Sequence, residues 1–222
     1  MLNQIKIQGL KCFQDVKVDF SNFTLLAGKN STGKSTVIQA ILALYQNSDH
    51  SLAGGYMNIG SVSEVKNKIC GSKEIILKAE YEQGEETFWY EKCFTDDRTE
   101  SKRGTRFPDE IQLCYLTADR IGVEDTYKKS FDREERIGVR CEFAFYYLAK
   151  HKDERMKEDR FIFDPKTKLT LGGQVDYWLE RILGYRVTSE EISGTELIRV
   201  AYTNKEIGKN IRPKNVGTGV SY

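Results

Sequence analysis

The segment Gly28-Lys29-Asn30-Ser31-Thr32-Gly33-Lys34-Ser35 constrains this chain more than any other. A short apolar run, residues 23–27, leads into it. An amphipathic stretch, residues 36–45, leads out, with Val37, Ile38, Ile41, Leu42 and Leu44 as its apolar positions. The order is buried strand, glycine-bounded loop, helix, with the spacing G-x-x-x-x-G-K-S. Gly28 and Gly33 let the backbone curl tightly, so the N–H groups from Asn30, Ser31 and Thr32 onward turn towards one centre. The next helix presents its unsatisfied N–H groups and positive dipole end to the same place. Such a loop suits phosphate oxygens. Lys34 would reach the β- and γ-phosphates as a point charge, Ser35 would supply a hydroxyl to Mg²⁺, and Thr36 would donate to the α-phosphate.

Composition narrows the partners. The 222 residues hold 34 Lys and Arg against 33 Asp and Glu, a net charge of +1. That balance argues against a strongly basic nucleic-acid coat and against an acidic tail, but leaves room for a local basic groove. The five cysteines, at 12, 70, 93, 114 and 141, form no C-x-x-C pair, and His50 and His151 are isolated. The expectation is reduced cysteines and no zinc site. No apolar stretch reaches the length of a membrane span and the first residues carry no apolar signal region, so a cytoplasmic chain with no membrane contact is expected.

Alternation predicts strands at 5–8, 16–20, 24–27, 74–81, 86–94, 111–117 and 197–203. Residues 48–72 and 207–222 read as loops, and 95–106 as a polar hairpin tip or loop. Residues 137–150 read as a helix with Phe143, Tyr146 and Tyr147 on its apolar side. Residues 173–183 read as another, with Val175, Trp178, Leu179, Ile182 and Leu183 on one face and Gly184 as its cap. Three parts are expected: a core lobe with the loop at 1–119, a helical subdomain at 120–184, and returning strands at 185–222. The fold class is α/β, with mixed parallel and antiparallel sheets around the loop's helix.

The opening strand, the Lys11-Cys12-Phe13 turn, the second strand and then the glycine loop resemble the start of the SMC/RecF-like branch of ABC-type ATPases. Three further segments resemble OLD-like AAA ATPases: Gly55-Tyr56-Met57-Asn58-Ile59-Gly60-Ser61, Tyr115-Leu116-Thr117-Ala118-Asp119-Arg120-Ile121-Gly122, and Asn215-Val216-Gly217-Thr218-Gly219-Val220-Ser221. The resemblance implies an ABC-type P-loop NTPase head using ATP and Mg²⁺, incomplete at its C-terminus. It implies a homodimer that closes head to head over two nucleotides, and an ATP-gated switch in phage defence or DNA metabolism. A nuclease or toxin effector is the implied partner, and nucleic acid stays open as another. Asp119 would stand where such ATPases sense Mg²⁺ and water; the alternative is a local ion pair with Arg120. Lys11 would touch the nucleotide from the turn, or would be a solvated surface lysine. Ser221 would begin the signature segment that contacts the γ-phosphate held by the other subunit, or would lie in a flexible tail.

Hydrolysis needs an apolar strand ending in Asp-Glu. The nearest segment, Phe161-Ile162-Phe163-Asp164-Pro165, has proline where glutamate would stand and reads as a strand running into a turn. The 222 residues alone are therefore expected to bind ATP weakly or not at all and not to turn it over. Two other functions fit the motif: a non-hydrolysing nucleotide-binding scaffold, and a DNA-repair ATPase of the RecF type. A P-loop kinase or GTPase lacks support in any lid or base-recognition motif.

Overall fold

The computed structural model describes residues 1–46, 52–96, 99–103, 113–132, 136–204, 206, 208, 210–217 and 219. The chain divides into two compact units, Met1–Cys114 and Tyr115–Tyr222.

The first unit is a sheet with a helix on it. Its strands are β1 (Leu2–Leu10), β2 (Phe13–Asp19), β3 (Ile75–Gln83), β4 (Glu86–Phe94) and β5 (Thr99–Arg103), in the order β2-β1-β3-β4-β5. Helix α1 (Lys34–Tyr45) packs on β1 and β3, and a one-turn helix α2 (Val62–Val65) follows. The pleat explains the packing. Ile5 and Ile7 of β1, and Ile75, Leu77, Ala79 and Tyr81 of β3, alternate into one buried cluster with Val37, Ala40 and Leu44 of α1. The outward positions of β1 and β2 pair as polar neighbours: Gln4 Nε2 donates to Asp19 and Gln8 Nε2 to Asp15, each across the ladder.

The second unit holds β6 (Thr126–Lys128), α3 (Ala144–His151), α4 (Leu171–Leu183), β7 (Tyr185–Glu191), β8 (Leu197–Asn204) and β9 (Asn210–Ile211). Its sheet runs β6-β8-β7, with β9 also on β8, and α3 and α4 pack on it. Tyr127, Val187, Ile198, Val200 and Tyr202 form its buried core. The expected helical subdomain, 120–184, and the returning strands, 185–222, both fall within this unit. Helix α4 starts at Thr170, whose side chain accepts from the Gly173 N–H, and ends at Gly184 in the left-handed conformation expected of a cap.

Several expectations are corrected. Residues 24–27 are not a strand, and Phe23 and Leu25 are 82% and 76% exposed. No described strand lies beside them, and Ser21 ties the segment into a local turn instead, its N–H donating to Thr24 Oγ1 and its hydroxyl to Phe23 O. All described ladders are antiparallel; the parallel pairing expected around the loop is not among them. Of the strand expected at 111–117, residues 111 and 112 lie outside the described residues, and 113–117 form no ladder. The polar stretch 95–106 contains β5, paired with β4. The helix expected from 137 begins only at Ala144, because Gly138 and Cys141 take positive φ of 81° and 58°. Trp178 and Ile182 of α4 remain exposed while Val175 and Leu179 pack on the core.

Candidate functional site

The glycine loop is built on the β1–β2 turn. Lys11, at φ 49°, opens that turn, and its N–H donates to Val65 O at 2.8 Å. The turn delivers Cys12 and Phe13 against Gly33: a Cβ there would meet Phe13 Cζ at 2.4 Å and Cys12 Sγ at 2.9 Å. Gly33 also has φ 98°, so this position needs glycine for both space and conformation. Gly28 (φ 150°) and Ser31 (φ 63°) complete the curl, and Thr32 Oγ1 braces it by donating to Lys29 O at 2.9 Å.

Gly33 is the N-cap of α1 and brings no side-chain acceptor. The first helical bond runs from Val37 N to Gly33 O, 3.0 Å, so the N–H groups of Lys34, Ser35 and Thr36 have no intrahelical partner. The first turn holds no acidic residue that would compete with an anion for the dipole end. Lys34 folds back over the loop, and its ammonium donates to Gly28 O at 2.8 Å and Lys29 O at 2.5 Å. Ser35 is exposed, as are Asn30, Ser31 and Thr32; Thr36 is 7% exposed, which leaves its backbone N–H as the group at the helix mouth. One ammonium, one exposed hydroxyl and a row of amides with no partner among the described residues therefore share the mouth of the loop. This set fits a polyphosphate and a magnesium ion that draws most of its oxygens from phosphate and water.

The other expected residues lie elsewhere. Lys11 is held on the helix, its Nζ donating to Gln39 Oε1 at 2.8 Å. Asp119 lies in the second unit, its side chain 83% exposed and paired with Arg140 at 3.3 Å. Its neighbour Arg120 turns away, Nε donating to Thr117 O. Ser221 lies outside the described residues. Asp164 is in a turn and not at a strand end: Oδ1 accepts from Lys166 N, and its carbonyl accepts from the Thr167 N–H and hydroxyl. Phe163 stacks beside Tyr177 and Trp178.

Sequence reasoning missed the far end of α1. Lys92 of β4 is 4% exposed, and its Nζ donates to Ala43 O at 3.1 Å and Gln46 O at 2.9 Å. A buried cation thus satisfies the carbonyls at the C-terminus of the helix whose other end carries the glycine loop. Gln46 continues the anchor, its amide donating to Leu52 O and accepting from Met57 N. Strand parity was the available signal: residue 92 stands between Tyr90 and Phe94, both buried.

A family model described as an AAA ATPase domain matches residues 1–171. No curated protein shows a significant match to the chain.

Proposed function

The chain belongs to the AAA ATPase domain family, a nucleotide-binding ATPase module, and from that premise we propose that residues 28–36 grip the polyphosphate of Mg·ATP in an ATP-gated head of the SMC/RecF/OLD-like type. The observation that carries the reading is the loop itself, with amides at Lys34, Ser35 and Thr36 that have no partner among the described residues, behind a lysine that the Gly28 and Lys29 carbonyls hold. In the mechanism, the incoming phosphates replace the Gly28 and Lys29 carbonyls as partners of the Lys34 ammonium. The amides supply the directional contacts. The bound Mg²⁺ would neutralise phosphate charge, with Ser35 Oγ among its ligands. Lys11 tunes the site from the turn through its bond to Gln39 on α1.

The type assignment rests on the strand, aromatic-basic turn and strand that precede the loop, and on the Phe13 ring supporting Gly33. By the same reading, two heads close over two nucleotides, Asp119 senses Mg²⁺ and the attacking water, Ser221 contacts the γ-phosphate held by the other head, and closure drives an effector in phage defence or DNA metabolism. No helix among the described residues is long and apolar enough to cross a membrane. The second reading, a nucleotide-stabilised scaffold without turnover, differs in outcome. Lys34→Ala abolishes nucleotide binding in both, but abolishes biological activity only where the nucleotide gates an effector.

A further inference from the structure

The second unit contains a cavity of about 310 Å³ between α3, α4 and the sheet. Its walls are apolar: Phe145 and Leu148 of α3, Val175 and Leu179 of α4, and Val187 and Tyr202 of the sheet. Helix α3 packs on the sheet through Phe145, whose ring meets Tyr127 and whose carbonyl accepts from the Ser189 hydroxyl, yet none of its residues is fully buried, so the pocket beside it is open along one side. The apolar lining of this half-open pocket is left to solvent, and covering it would be favourable.

Two arginines border the cavity, and they differ. Arg140 is half-exposed and paired with Asp119. Arg120, half-buried, has no carboxylate partner among the described residues. Its Nε donates to Thr117 O at 2.8 Å and its Nη1 to Cys141 Sγ at 3.6 Å. These two neutral acceptors fix the guanidinium at the cavity edge and leave its charge unpaired. A guanidinium offers five donors in a planar fork, so most of them remain for a ligand.

We propose that this cavity is a binding site for a small anionic amphiphile, with an apolar body seated between α3 and α4 and a carboxylate or phosphate head on Arg120. The size falls within the range of small-molecule sites, and an apolar chamber with one placed charge is their usual chemistry. The occupant would cover apolar surface that the pocket leaves to solvent, so binding would stabilise the unit by mass action. The glycine loop belongs to the other unit and contributes no residue to this pocket.

The probe is decanoate, compared with decanol and decyltrimethylammonium, titrated into the full chain. The readouts are the methyl resonances of Val175, Leu179 and Val187 and the Tm. Decanoate is expected to shift those methyls and raise the Tm, with decanol binding about tenfold more weakly and the cation not at all. In Arg120→Gln, decanoate should fall to the affinity of decanol while decanol is unchanged. Val175→Trp, which fills the chamber, should abolish both without lowering the Tm. Equal binding of decanoate and decanol in the unaltered protein overturns the proposal. So does an Arg120→Gln variant that keeps the preference, or methyls that move with neither probe, as they would if another apolar segment of the protein filled the space.

Discussion

The ring of Phe13 lies so close to Gly33 that a Cβ on residue 33 would stand 2.4 Å from Cζ. The turn of the first ribbon and the last glycine of the loop are therefore one packed object. Gly33→Ala must displace the ring and also occupy φ 98° with a side chain, which costs about 1–3 kcal/mol. The variant should lower the Tm of the first unit and weaken ATP binding together, seen by thermal unfolding and calorimetric titration. Unchanged affinity would contradict this coupling.

Lys92 should matter to the site without touching it. Lys92→Ala leaves Ala43 O and Gln46 O without their buried donor and opens a small cavity, a loss of about 3 kcal/mol. Hydrogen exchange should show the last turn of α1 losing protection before the sheet does. A variant with the original Tm and intact protection would refute the role of Lys92 as the helix's anchor.

Much of the loop was legible in the sequence because its constraints are local. Two glycines, a lysine and a hydroxyl at fixed spacing need only the chain itself to form the curl, and the structure keeps that order from Gly28 to Ser35. The ribbon and the β3–β4 hairpin were legible for the same reason: alternation meets a neighbour a few residues away. Residues 24–27 were misread because an apolar run becomes a strand only where another strand takes up its N–H and C=O groups. The late start of α3 turned on the positive φ of Gly138 and Cys141, which helical periodicity does not reveal. Lys92 was overlooked because a lysine is usually assigned to solvent, although its parity with Tyr90 and Phe94 pointed inward.

Tyr81 predicts an alkaline weakness in the first unit. Burial, with Tyr45 beside it, holds its hydroxyl well above the ordinary tyrosine range, so the fold favours the neutral form. A raised folded value means that this stability is fully present below the unfolded value, about 10, and is lost as pH climbs from there towards the folded value. The Tm of the unaltered protein should fall more steeply across that window than the Tm of Tyr81→Phe. Parallel pH profiles would contradict the assignment.

Asp119 should be nearly silent in stability. Its pair with Arg140 is solvent-exposed, and such pairs contribute at most about 1 kcal/mol. Asp119→Asn should therefore leave the Tm of the second unit almost unchanged in thermal unfolding. A large drop would show that the carboxylate is structural, and would undercut its proposed role in sensing Mg²⁺ and the attacking water.

The central claim is that residues 28–36 form the phosphate cradle and that Lys34 is its charge. Backbone amide shifts during titration with Mg·ATP at millimolar concentration test it most directly, since they report weak binding residue by residue. The account predicts shifts concentrated at residues 28–36, abolished in Lys34→Ala with the remaining amide spectrum unchanged. Shifts centred elsewhere, or an undiminished response in Lys34→Ala, would contradict it.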